Sequence, residues 1–129
     1  MATGLSAVNL ANRWLDMLSG TTFTAPAGTW MKLHTADPGA TGATGASAQT
    51  ARTAMTWGAA SAGVKATSAS TSFAMTATET ITHVSLWDTV GPAGGNFLGS
   101  AALTTSRAVA NGDTLSVTSF QASLSPLAA

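Results

Sequence analysis

The stretch that decides the fold is TITHVSLWD, residues Thr80 to Asp88. Its large side chains fall on both faces of an alternating pattern. One face carries Ile81, His83 and Trp87, and the other carries Val84 and Leu86. A strand that is apolar or aromatic on both faces is typical of the centre of a sheet that is covered twice. We therefore predict that this segment is the central strand of the protein.

The residues that follow predict a hairpin and then a change of face. A glycine-rich loop, Gly91 to Gly95, separates the central strand from a second apolar run at 97–103, in which Gly99 predicts a bulge or a close backbone approach. Asn111-Gly112 is a tight-turn signal. Apolar alternation then shifts phase near Ser119, which predicts either a bulge or a strand that leaves one sheet and joins another.

The residues upstream add more short strands. Period-two runs at 29–34 and 51–57 predict two of them, and residues 38–49 between them contain only small and polar side chains, which predicts a flexible surface loop. Helices do not alternate with these strands. The fold class expected is mainly β: a single β-sandwich or barrel-like domain of about seven short antiparallel strands over residues 28–125, with one N-terminal helix.

That helix is predicted over residues 3–19, with Thr3 as N-cap and Gly20 as C-terminal cap. Its main apolar stripe consists of Leu5, Val8, Ala11, Leu15 and Leu18, and Leu10, Trp14 and Met17 widen it. A helix with so wide an apolar surface either caps its own core or docks on a neighbouring subunit. The residues predicted to lie in an interface are Leu10, Trp14, Met17, Trp30 and Lys32.

Composition excludes several classes of protein. The 129 residues predict one domain, and only 8% are charged, with five basic and five acidic residues and no net charge. Nucleic-acid binding relies on clustered Lys and Arg, which are scattered here, so no nucleic-acid partner is expected. A neutral surface gives little repulsion between molecules and favours self-association or attachment to a larger assembly.

The absence of Cys excludes disulfides and thiolate chemistry. No apolar run approaches the roughly 18 residues of a membrane span, so no membrane partner is expected.

Candidate chemistry is sparse. A metal site from His34, Asp37, His83 and Asp88 can be drawn, but nothing in the sequence brings the four together. No Gly-x-Ser-x-Gly elbow or phosphate loop is present. Four Trp residues leave a carbohydrate-binding module open. We expect no enzyme activity, no cofactor and no metal, and we interpret Arg52 and Asp88 as a structural ion pair.

The order of motifs resembles a family of small tailed-phage structural proteins, labelled tail fibre, minor tail or head decoration proteins. The resemblance covers nearly the whole chain and rests on four motifs. They are His34-Thr35-Ala36-Asp37-Pro38, Ala51-Arg52 with Thr56-Trp57-Gly58-Ala59, Thr82-His83 with Leu86-Trp87-Asp88, and Asn111-Gly112-Asp113-Thr114.

The resemblance implies a non-enzymatic virion protein, assembled in the bacterial cytoplasm and located on the capsid surface or in the tail. We expect a homo-oligomer, with a trimer as the first guess, that contacts the major capsid protein or tail proteins. Since the chain has no fibrous repeat or heptad, capsid decoration is the first expectation. A minor tail or tail-fibre protein, with host carbohydrate as a further ligand, is the alternative.

Overall fold

The computed structural model describes residues 3–125 and contains nine strands in that part of the chain. The strands are β1 (Gly4–Leu5), β2 (Trp30–His34), β3 (Thr53–Ala54), β4 (Val64–Ala66), β5 (Thr71–Ala74), β6 (Glu79–Trp87), β7 (Phe97–Val109), β8 (Thr114–Val117) and β9 (Gln121–Ser123). One antiparallel sheet has the order β1-β7-β6-β2-β3, and the pairs β5-β8 and β4-β9 form two small sheets. The predicted mainly β, sandwich-like class with one N-terminal helix is confirmed. The sequence underestimates the number of strands because those of two or three residues are too short to show a period.

The predicted central strand is β6, which pairs with β2 on one side and β7 on the other. The hairpin with β7 is therefore confirmed. Met31 pairs with Leu86 and Leu33 with Val84, and this face of the sheet forms the core together with Phe73 of β5. Ile81 belongs to the same core cluster, so the prediction that grouped it with His83 and Trp87 is wrong. The pairing of β6 with β7 shifts register between Ile81 and His83, where four residues of β7 lie opposite Thr82.

The opposite, outer face of the β2–β6 pair is covered by residues 35–47, which we call the strap. The amide of Thr35 donates to Gly45 at 2.8 Å, and the amide of Ser47 donates to Leu33 at 3.1 Å. Pro38, Gly42 and Ser47 are buried. The sequence predicts a flexible surface loop at residues 38–49. The segment contains no helix or strand and many of its residues are exposed, while small side chains let part of it pack closely on the sheet; its flexibility stays a prediction. The expected double coverage of β6 is confirmed.

The phase shift near Ser119 marks a change of sheet. β8 pairs with β5, whereas β9 pairs with β4. The sequence left two alternatives for this segment, a bulge or a strand that leaves one sheet and joins another, and the second is confirmed. The Asn111-Gly112 turn that precedes it is also present, with Gly112 at φ +94°.

The N-terminal helix is shorter than predicted. It consists of a π turn (Ala7–Ala11), an α-helical turn (Asn12–Asp16) and a 3₁₀ turn (Met17–Ser19), and it ends at Gly20 in the left-handed conformation as predicted. Ser6, not Thr3, is the N-cap, because Gly4 and Leu5 pair with β7 instead. A side chain at Gly99 would lie 2.9 Å from the Gly4 carbonyl, so the predicted close approach is confirmed. No helix within residues 3–125 has the length and apolar character to cross a membrane.

Two glycines provide a test of how closely the strap packs. Gly42 and Gly94 have φ of +72° and +76°. A Cβ at Gly42 would overlap the Phe97 ring and lie 2.8 Å from Trp87 Cζ2, whereas a Cβ at Gly94 would meet nothing within 4 Å. We expect Gly94→Ala to lower the free energy of unfolding by about 1 kcal/mol through backbone strain. We expect Gly42→Ala to lower the free energy of unfolding by roughly 1–3 kcal/mol more than Gly94→Ala does, because its methyl group overpacks the site. Urea denaturation of both variants measures the difference, and equal losses would contradict this packing.

Candidate functional site

A buried chain of hydrogen bonds runs through the outer face of the sheet. Trp87 Nε1 donates to Ser85 Oγ at 2.8 Å, Ser85 Oγ lies 2.7 Å from His34 Nε2, and His34 Nδ1 lies 2.8 Å from the carbonyl of Thr44. Because a carbonyl only accepts, Nδ1 carries the imidazole proton. In the neutral ring Nε2 then accepts, so the Ser85 hydroxyl donates to it. Each polar group is satisfied when His34 is neutral.

The Ser85–His34 pair has the geometry of a nucleophile beside a general base, with the base oriented by a third group. Both residues are 0% exposed, however, and the strap lies over them. A substrate cannot reach the Ser85 hydroxyl in this conformation. The arrangement satisfies buried polar groups in a doubly covered sheet.

Burial also determines the charge state of His34. It lowers the pKa of the imidazole, and the positive charges of Lys32 and His83 lower it further, while hydrogen bonds to the Thr44 and Gly45 backbone act in the opposite direction. Lys32 is itself half-buried on this face, and burial followed by the charge of Arg52 lowers its pKa. The outer face therefore favours the neutral imidazole.

Arg52 fixes the loop after β6. Its guanidinium lies 4.0 Å from the centre of the Trp87 ring, and Nη1 donates to Thr89 Oγ1 at 2.8 Å and to the carbonyl of Gly94 at 3.0 Å. Asp88 instead accepts two hydrogen bonds of 2.7 Å from Asn96. The prediction of a direct Arg52–Asp88 pair is therefore corrected to separate partners. Asp88 still acts over a distance, since its charge opposes the effect of burial, which lowers the pKa of Arg52.

The four residues of the metal site considered in the sequence analysis have other hydrogen-bond partners in the structure. Both ring nitrogens of His34 are engaged, Asp37 accepts from the amide of Gly39 at 2.8 Å, and His83 Nδ1 lies 2.7 Å from Thr82 Oγ1. Across residues 3–125, no group of three or more His, Asp or Glu side chains could hold a metal ion.

The structure changes the predicted interface surface on the N-terminal helix. Leu10 is 9% exposed in the protein's own core, and Trp14 is half-buried, 6.5 Å from the Phe23 ring. Met17 is exposed, and its place in an interface stays a prediction. Of the stripe that we interpreted as the main apolar face, Leu5 packs against the core from β1, whereas Val8, Leu15 and Leu18 point outwards and are 75%, 64% and 88% exposed. The π turn at Ala7–Ala11 adds a residue to one turn, which rotates the following side chains relative to a regular α-helix.

Trp30 and Lys32 are half-buried on the outer face of β2, so the structure does not bring them together with the helix residues into one predicted interface. Sequence reasoning missed Ser85 and Thr44, the other members of the buried hydrogen-bond chain. Ser85 had a readable signal, because it is a small hydroxyl residue within the run that predicts a doubly covered strand. A buried hydroxyl there requires a hydrogen-bond partner. Thr44 had no such signal, since it contributes only its backbone.

Comparison with known protein families gives one finding. The model of a family described as Podophage GP4 fiber I protein gp80 matches residues 5–125, which is nearly the whole chain. A comparison with curated proteins found no match.

Removing the Ser85 hydroxyl tests the buried hydrogen-bond chain. We expect Ser85→Ala to lower the free energy of unfolding by about 2–4 kcal/mol, since Trp87 Nε1 and His34 Nε2 both lose their partner. The matched control is Ser72→Ala, because Ser72 Oγ lies 2.7 Å from Ser116 Oγ on the exposed surface. Ser72→Ala should lower the free energy of unfolding by no more than about 0.5 kcal/mol. Chemical denaturation compares the two, and similar losses would argue against a special role for Ser85.

Proposed function

The chain belongs to the podophage GP4 fiber I protein gp80 family, and on that premise we propose that it is a structural subunit of a podophage tail fibre. The family places the protein in the virion and makes it a structural component there. The match over residues 5–125 is the observation that carries the proposal. We further propose that the subunit has no enzymatic role, which is supported by the closure of the Ser85–His34 pair from solvent.

The exposed apolar side chains of the N-terminal helix support a role in assembly. We call Val8, Leu15, Met17 and Leu18 the helix surface. These are four of the six large hydrophobic residues most exposed in the described chain. Burying one such side chain in a contact contributes about 1.5–3 kcal/mol, so burial of this surface favours association.

A groove beside the helix extends this apolar region. It has a volume of about 310 Å³, and its lining includes Leu5, Trp14, Phe23 and Trp57. We propose that the partner at this region is another copy of the chain. Arg13 and Asp16 lie among the apolar residues of the same helix, so a second copy offers each of them the opposite charge. The trimer expected from the sequence stays a prediction.

Capsid decoration, the first expectation from the sequence, is the competing location. The family description refers to a fibre, which favours the tail. The partners proposed for the protein in the virion are therefore tail proteins, with the major capsid protein as the alternative.

Carbohydrate binding lacks a favouring observation. Trp14 and Trp57 pack edge-on against Phe23 and Phe120, and Trp87 lies between Arg52 and Phe97. Trp14 and Trp57 also line the groove, which we assign to a second copy of the chain.

The helix surface gives a direct test of self-assembly. The double variant Leu15→Ser, Leu18→Ser should lower the molar mass measured by light scattering towards the monomer of 12.8 kDa. Both side chains are exposed, so the melting temperature of the monomer should not fall. Val90→Ser is the control, because Val90 is 63% exposed outside the helix. An unchanged mass in the double variant would refute the helix surface as the contact.

Location in the particle separates a fibre from a decoration protein. We expect an antibody against this chain to label the tail in electron micrographs of purified virions. Quantitative mass spectrometry should give a copy number close to that of other tail proteins. Labelling spread over the shell, with a copy number that follows the major capsid protein, would instead establish capsid decoration.

A further inference from the structure

The strap is fastened to the sheet mainly around a single titratable side chain. His34 forms a backbone bridge with Ala46 and binds the Thr44 carbonyl through its ring, and the neighbouring amides of Thr35 and Ser47 complete the attachment. The ring is 0% exposed. The ring therefore contacts the strap at the Thr44 carbonyl, beside the backbone contacts that hold residues 35–47 to β2.

We propose that the strap is an acid-released latch, in which uptake of one proton from solvent at His34 Nε2 places a charge in the buried hydrogen-bond chain and favours release of the strap, because release exposes the charged ring to water. The reaction is a protonation equilibrium, and raising the pH returns the proton to solvent and closes the latch. The inference does not rest on the proposed location in a tail fibre.

The protonated ring does not fit the closed structure. Once Nε2 carries a hydrogen, Ser85 Oγ has to accept from both Trp87 and His34. The Ser85 hydroxyl hydrogen then loses its acceptor inside a site from which water is excluded. Leaving a buried donor unpaired is costly, and a buried charge without a partner is more costly still.

The charged groups facing His34 do not compensate that charge, and only the backbone of Thr44 and Gly45 favours the protonated ring, against the larger effect of burial. Lys32 on β2 and His83 opposite on β6 both disfavour a positive ring, and Arg52 adds a further cation on this face. The carboxylate of Asp37, in the strap itself, accepts from the amide of Gly39. No element packed against His34 supplies a carboxylate hydrogen-bonded to its ring within the described residues.

Glu79 limits how far the strap opens. Its carboxylate accepts from the Ser47 hydroxyl and from the amide of Ala48 at 3.2 Å, beyond the contacts that depend on His34. This end of the strap stays attached when the His34 contacts break. Opening then uncovers the aromatic pair of Trp87 and Phe97, whose rings are 5.7 Å apart, and which Gly42 contacts in the closed state.

The direction of the pH dependence follows from linkage. Burial lowers the pKa of His34 below its ordinary value of about 6.5. The contribution of the closed strap to stability is therefore complete above about pH 6.5 and is lost as the pH falls through the lowered value. Within that window the opening equilibrium grows about tenfold per pH unit, because one proton is taken up.

Hydrogen exchange of individual amides, corrected for the intrinsic effect of pH, tests the latch on the full chain. The amide of Thr35, which donates to Gly45, reports the strap, and the amides of Val84 and Leu86 report the central strand. We expect strap protection to fall by about tenfold per pH unit between about pH 6.5 and the lowered pKa of His34, while the central strand stays protected. If protection fell equally in the strap and in the central strand, the loss would reflect global unfolding and would overturn the proposal.

Three variants identify the titrating group. His34→Gln keeps an acceptor and a donor without a titrating ring, so its strap protection should not depend on pH. His83→Gln is the matched control and should retain the transition. Lys32→Met removes a neighbouring cation and makes the closed state more tolerant of the protonated ring, so the loss of strap protection at low pH should be smaller than in the unmodified protein. This variant keeps the test valid if His34→Gln fails to fold. Unchanged release in both the His34 and the Lys32 variants would refute the latch.

Discussion

The antiparallel pairing of β2 with β6, covered on both faces, is the constraint on which the rest of the structure depends. The inner face is apolar, with Met31, Leu33, Val84 and Leu86 buried beneath the small sheets. The outer face carries His34, Ser85 and Trp87, which are also buried. Polar atoms enclosed in this way must find partners inside the protein. The sheet therefore specifies its covering segment as well as its core.

The strap meets that requirement with backbone atoms and small side chains. Gly42 allows the chain to approach the Trp87 and Phe97 rings, and the carbonyl of Thr44 satisfies the second nitrogen of His34. The many Ala, Thr, Ser and Gly residues of the sequence suit such close contacts, because they bring backbone near backbone without long side chains between. A segment without apolar periodicity is thus part of the folded domain. Its dependence on a neutral imidazole links its position to pH.

The proposed assembly rests on a different feature, the direction in which the N-terminal helix presents its apolar residues. Leu10 and Trp14 are the side chains directed towards the domain, and the stripe with Leu15 and Leu18 is exposed. A charge-poor protein with a concentrated apolar helix is well suited to contacts between copies in a virion. This property agrees with the fibre family to which the chain belongs.

The sequence by itself determined the mainly β class, the central strand with its hairpin, the Asn111-Gly112 turn and the change of sheet near Ser119. It also supplied the family resemblance, because these signals are local: alternation, glycine turns and motif order. Only the tertiary structure decided that Gly4 and Leu5 pair with β7, that residues 38–49 pack on the sheet, and that Val8, Leu15 and Leu18 face outwards. The physical reason is that the first two depend on contacts between residues distant in sequence, and the third depends on one added residue in a helical turn. Neither cause produces a periodic pattern in the sequence. The hydrogen-bond chain of Trp87, Ser85, His34 and Thr44 is of the same kind, since 51 residues separate Ser85 from His34 and only folding brings them within 2.7 Å.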